Sequence, residues 1–128
     1  TMASIIKLPN IFEKIKSFEF RMNPNLEEIS EECYEWIEKL SQGYQKNVHL
    51  HKLDFAAACF YPEADIERLK IVTDYFNLYT LLDDICDSGQ AMAQRVVKDI
   101  ESVFNGQDDE SLSEFGKATK RFKNNLRI

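Results

Sequence analysis

Residues 65–87 read DIERLKIVTDYFNLYTLLDDICD, and the reading of this stretch decides the fold class. Ile66, Leu69, Thr73, Phe76, Thr80, Asp83 and Asp87 recur at intervals of three and four, which puts them on one face of a helix of about six turns. Asp65 stands where a side-chain oxygen can accept from the free N–H groups of the first turn. The stripe predicts a long helix whose inward face is apolar for most of its length and acidic at its end.

The same periodicity recurs on either side. Upstream, Leu53 to Tyr61, with Phe55, Phe60 and three consecutive alanines at 56–58, predicts a shorter helix that Pro62 stops. Asn23-Pro24 marks an earlier start, with Asn as cap, Pro at the first helical position, and Glu27 and Glu28 near the positive end of the dipole. That helix is predicted to reach about Leu40, burying Leu26, Ile29, Cys33, Trp36, Ile37 and Leu40 and leaving Glu31, Glu32, Glu35 and Glu38 to water. Downstream, Ser88-Gly89 introduces the stripe Met92, Val96, Ile100, Val103 and Phe104, closed by a polar turn, Asn105-Gly106-Gln107-Asp108-Asp109. A capping box, Ser111 with Glu114, announces a last helix carrying Phe115, Ala118, Phe122 and Leu126. No alternating pattern of strand length and no fixed-period repeat interrupts this order. The expectation is an all-α fold of about five or six helices in a single domain over residues 1–128.

Composition narrows the function classes. Sixteen Lys and Arg against twenty-two Asp and Glu leave a net charge of −6, which repels phosphate backbones and acidic lipid surfaces. Nucleic acid and membrane are therefore poor partners, and no apolar run approaches the ~20 residues a spanning helix needs. The surplus is uneven: residues 1–110 hold 11 basic and 21 acidic side chains, residues 111–128 hold 5 and 1, a pattern that reads as one solvated basic helix face. Cys33, Cys59 and Cys86 lack metal or redox spacing and sit in apolar helical patterns, so a reducing, cytoplasmic location is expected. No secretory signal is visible at the N-terminus.

The chemistry-bearing candidate is Asp83-Asp84-Ile85-Cys86-Asp87. A helix sets Asp83 and Asp87 one turn apart on one face, with Asp84 within three residues of Asp87, and carboxylates this close raise one another's cost of ionisation. A divalent cation relieves that cost. Mg²⁺ prefers hard oxygen ligands and takes one or two carboxylates with water and phosphate oxygens, so the pattern implies a phosphorylated ligand. Because Tyr75, Phe76, Leu78, Tyr79, Leu81 and Leu82 lead into the aspartates, the expected site is an apolar cavity with a metal-lined mouth. His49-x-His51 is a weaker metal candidate, without a companion Cys or second His pair. Nucleophile-elbow, zinc-protease, P-loop and dinucleotide motifs are absent from the sequence, and the EF-hand pattern fails for want of its glycine. Trp36, Phe55 and Phe60 are expected in the core and Arg21 on the surface.

These motifs, with Phe20-Arg21-Met22-Asn23-Pro24-Asn25 upstream and Asp54-Phe55 to Tyr61-Pro62 between, resemble the microbial class I terpene synthases in order and spacing. The N-terminal part of the fungal sesquiterpene synthases is the nearest likeness: it carries a Leu-Pro element like Leu8-Pro9, an Arg-x-Asn-Pro start, a Trp-bearing helix like that of Trp36, and an Asp-Phe to Tyr-Pro segment. The likeness covers roughly residues 5–105. It implies ionisation of a prenyl diphosphate, farnesyl diphosphate foremost, by Mg²⁺, and cyclisation of the cation in an apolar helical pocket. Carried over by position, Asp83 is the main metal ligand, Asp84 and Asp87 support it, and Phe76, Tyr79 and Thr80 line the substrate pocket.

Members of that family are well over twice as long, with a second metal-binding triad and a pyrophosphate-sensing Arg that these 128 residues lack. The resemblance therefore implies the front part of a longer fold, with an uncovered apolar wall that favours self-association through exposed helix faces. An isoprenyl diphosphate synthase is the alternative within the same chemistry, although Arg95 stands alone where that family has Arg-Arg-Gly. A non-catalytic helical interaction module is the alternative outside it.

Overall fold

A computed structural model describes residues 4–15, 19–107 and 111–126, the side chains of Phe12 and Ile15 excepted. Asp108 and Asp109 of the polar turn lie outside the described residues. Six α-helices and one 3₁₀ turn are formed among the described residues, and no strand. These are α1 (Ile11–Ile15), α2 (Leu26–Gly43), the 3₁₀ turn Val48–His51, α3 (Leu53–Phe60), α4 (Ile66–Ser88), α5 (Gln90–Phe104) and α6 (Glu114–Leu126). The all-α expectation holds. No helix among the described residues is long and apolar enough to cross a membrane.

α4 is the axis of the molecule, packing against α2, α3, α5 and α6 in turn. Its start is as the sequence predicts: Asp65 Oδ1 accepts from the backbone N–H of Arg68 at 2.8 Å. Two apolar clusters lie on either side of its middle. Ile37, Leu40, Val48, Leu78, Leu81, Ile85, Val96, Phe115 and Ala118 form the larger, and Ile29, Cys33, Ala57, Ala58 and Leu69 the smaller. Ala57 and Ala58 have no exposed surface, because small side chains let α3 approach α4 closely.

Asn23 and Pro24 fall in a turn before α2, not at its cap and first position, and the helix runs on to Gly43, past the expected end at Leu40. The buried amide of Asn23 donates to the carbonyls of Tyr61 at 2.9 Å and Ala64 at 2.7 Å, while its Oδ1 accepts from the N–H of Asn25 at 2.9 Å. One side chain thus ties the entry to α2 to the turn joining α3 and α4, and α2 itself begins at Leu26. Ser30 Oγ, bonded to Asp54 Oδ2 at 2.8 Å, fastens α2 to α3 a turn further on.

Several sequence expectations are corrected. Ser113, not Ser111, caps α6: its Oγ accepts from the N–H of Gly116 at 3.1 Å, and Ser111 instead offers its carbonyl to Arg95. The α5 stripe is buried at Val96 and Val103, but Met92 and Phe104 are exposed, and Asp99 takes the inward position facing α6. Asp99 Oδ2 accepts from the N–H of Ser113 at 2.7 Å and from Arg95 Nε at 3.3 Å. Burial works against ionisation there, yet these donors hold the carboxyl below its usual value. Phe55 and Phe60 are exposed, because α3 packs through its alanines, whereas Trp36 of α2 is half-buried and packs against the larger cluster. The basic end is also not simply solvated, since Arg121 lies 4.6 Å over the Trp36 ring and Lys123 Nζ bonds the Val103 carbonyl at 2.9 Å.

Candidate functional site

The buried side of α4 runs along the ridge Leu69, Thr73, Asn77, Leu81 and Ile85, each four residues beyond the last, with Asp74 and Leu78 buried beside it. Steps of four advance slightly more than one turn, so this ridge winds around the helix, as contacts between crossing helices do. The alternating stripe read from the sequence runs nearly straight along the axis and shares only Leu69 and Thr73 with it. By the last turns the two have separated. Ile85 and Leu81 are inside, whereas Asp83 and Asp87 are exposed and Asp84 is half-buried. The expectation that Asp83 and Asp87 continue the inward stripe is therefore corrected.

What the outward side of α4 carries is an aromatic band. Tyr75, Tyr79 and Asp83 stand one turn apart on that side, with Tyr75 and Tyr79 stacked at 6.2 Å between ring centroids. Phe76 is half-buried beside them and meets Phe60 edge-on at 6.2 Å and Tyr61 at 6.5 Å. Tyr75 also reaches Phe122 of α6 at 6.2 Å. Phe60 and Tyr79 are 73% and 63% exposed, so the band is an open apolar surface rather than a core layer. Thr80 is half-buried at its edge.

The structure brings Tyr79 and Phe76 into this band and puts Asp83 at its end, but the three aspartates do not converge. Asp84 is about 100° round the helix from Asp83. Among the described residues no group of three His, Cys, Asp or Glu side chains is close enough to hold a metal ion. Asp83 and Asp87, one turn apart, offer the one or two carboxylates that Mg²⁺ takes from a protein when phosphate and water fill its remaining positions. Lys46 Nζ contacts Ser88 Oγ, which in turn donates to the Asp84 carbonyl at 2.9 Å, so a cation borders the acidic end. His49 is buried edge-on against Tyr34 at 5.6 Å, a packing role, whereas His51 is exposed.

Sequence reading missed a second feature, a polar cleft of about 620 Å³ among α2, α4 and α6. Asp74 lies in its wall, 6% exposed, on the side of α4 opposite Asp83. Burial pushes its carboxyl up to about 6, against the pull of Arg121 and, more weakly, Lys70. Lys70 is committed to Glu32 of α2 at 2.9 Å, and this partner holds the Glu32 carboxyl below its usual value. Cys33, buried in the same wall, has its thiol pushed up to about 12, chiefly by burial and then by the Asp74 charge. An aspartate between Thr73 and Tyr75 gives no sign in the sequence that three helices will leave it inside.

Comparison of the chain with protein-family models, curated proteins and solved structures gives no match in any of the three.

Proposed function

We propose that this chain supplies the aspartate-bearing wall of a Mg²⁺-dependent terpene synthase, which ionises a prenyl diphosphate, farnesyl diphosphate foremost, and cyclises the cation to a sesquiterpene. One observation carries the reading: an open aromatic band on α4 and its neighbours leads, one turn at a time, from Tyr75 through Tyr79 to Asp83. Ring faces stabilise positive charge and exclude water, which a carbocation requires. In this reading Asp83 and Asp87 hold Mg²⁺ against the pyrophosphate, Asp84 supports them, and Phe76, Tyr79 and Thr80 line the pocket. The metal supplies charge neutralisation of the leaving group.

The test is incubation with farnesyl diphosphate and Mg²⁺, followed by gas chromatography of the extract and calorimetry of substrate binding with and without the metal. Support would be a hydrocarbon product, or Mg²⁺-dependent binding, that Asp83→Ala removes. The reading fails if neither is seen or if Asp83→Ala leaves both unchanged.

The outward, unconverged aspartates favour a second reading, a helical interaction module that associates with itself through the aromatic band. The farnesyl diphosphate assay separates the two, and sedimentation velocity tests the second: Tyr79→Lys should abolish association while Asp83→Ala should not, with neither product nor Mg²⁺-dependent substrate binding seen.

A further inference from the structure

The cleft on the far side of α4 has a feature the aromatic band lacks: two opposite charges without hydrogen bonds among the described residues. Asp74 is more than nine-tenths buried and lines the cleft, yet its carboxylate has neither hydrogen bond nor ion pair among the described residues. Such a group costs free energy that a matching donor would recover. Arg121, which lines the same cleft from α6, lies 4.6 Å over the Trp36 ring and makes a long ion pair with Glu32 at 3.9 Å. Its fork of N–H donors makes only this long ion pair with Glu32, which is itself closer to Lys70, and no hydrogen bond to a carboxylate among the described residues. The remaining charges nearby are satisfied: Lys70 pairs with Glu32 and Arg68 with Asp65.

We propose that this cleft binds a small zwitterion with an ammonium and a carboxylate on one carbon, the ammonium against Asp74 and the carboxylate against Arg121. An inorganic anion would satisfy Arg121 alone and meet repulsion from Asp74. A simple amine would leave the guanidinium bare. An α-amino acid answers both, and Ile71 and Leu126 give its side chain an apolar flank. The volume, about 620 Å³, falls within the ~300–1,000 Å³ of small-molecule pockets.

Trp36 is the sole tryptophan and lies under Arg121, so its emission reports on the site. The 128-residue chain is titrated at neutral pH with L-leucine, with 3-methylbutylamine, which lacks the carboxylate, and with 4-methylpentanoate, which lacks the amine. L-leucine should give a saturable change, and each one-handed analogue should bind roughly tenfold or more weakly. Asp74→Asn, followed by calorimetry with circular dichroism as the check on folding, should weaken L-leucine by a similar factor. The proposal is overturned if L-leucine gives no saturable signal, if either analogue binds as well as L-leucine, or if folded Asp74→Asn binds unchanged. The analogue series uses the unaltered chain, so it decides the matter even if Asp74→Asn misfolds.

Discussion

A methyl group on Gly116 would lie 2.9 Å from the Cβ of Asp99 and 3.1 Å from its Oδ2. The first turn of α6 is pressed against α5 at the buried carboxylate that receives the Ser113 N–H. Alanine at a helical position ordinarily gains about 1 kcal/mol over glycine, but forced overpacking costs about 1–3 kcal/mol. The neighbour here is the stem of a buried side chain, which cannot swing away. Gly116→Ala should therefore lower the urea midpoint, with a net loss of up to about 2 kcal/mol. Gly43→Ala, where nothing lies within 4 Å, should not.

Asp74 makes the protein's stability depend on pH in the opposite sense to a paired carboxylate. Its folded carboxyl keeps its proton up to about 6, whereas the unfolded one releases it near 3.8. The native state thus binds the extra proton between these values, and stability declines as pH rises through that window. Glu32 and Cys33 from α2, Lys70 beside it on α4, and Arg121 from α6 face the group. The difference between the folded and unfolded values corresponds to about 3 kcal/mol, an upper bound for a site lined partly by solvent. Urea midpoints measured from pH 4 to 7.5 should show Asp74→Asn gaining on wild type as pH rises. Parallel curves for the two proteins would contradict this.

Asn23 holds three backbone groups with one amide. Asn23→Ala would remove three hydrogen bonds of a buried amide, leaving the Tyr61 and Ala64 carbonyls only their longer 3.3 Å bonds from Ala64 N–H and Asn25 Nδ2, at a cost of about 1–3 kcal/mol. Thermal unfolding should show the loss, and Asn23→Asp should not rescue it, since a carboxylate cannot donate to either carbonyl. Proteolysis within residues 61–64 should rise in parallel, because that turn loses its tie to the start of α2.

Much of the helical order was legible without coordinates. Pro24, Pro62, Gly89 and the Asp65 cap act on their own neighbours, through fixed φ, missing donors and a local hydrogen bond, so they announce helix ends wherever the helices pack. The α2 stripe at Ile29, Cys33, Ile37 and Leu40 is buried as its spacing implies, because a helix near the surface has one covered side. Near α6 the choice between Ser111 and Ser113 was not local: Asp99, fourteen residues earlier, takes the Ser113 N–H and sets where the helix begins.

By itself the sequence determined that Tyr75, Tyr79 and Asp83 share one side of a helix, since 3.6 residues per turn admits no other arrangement. Which way that side faces was decided by the tertiary structure. α4 is covered from several directions, and its neighbours cross it along a winding ridge, so burial passes from Leu69 to Ile85 and leaves the aspartates outside while enclosing Asp74. Periodicity records which residues are companions on a helix; only the packing of the other helices says which companions meet water.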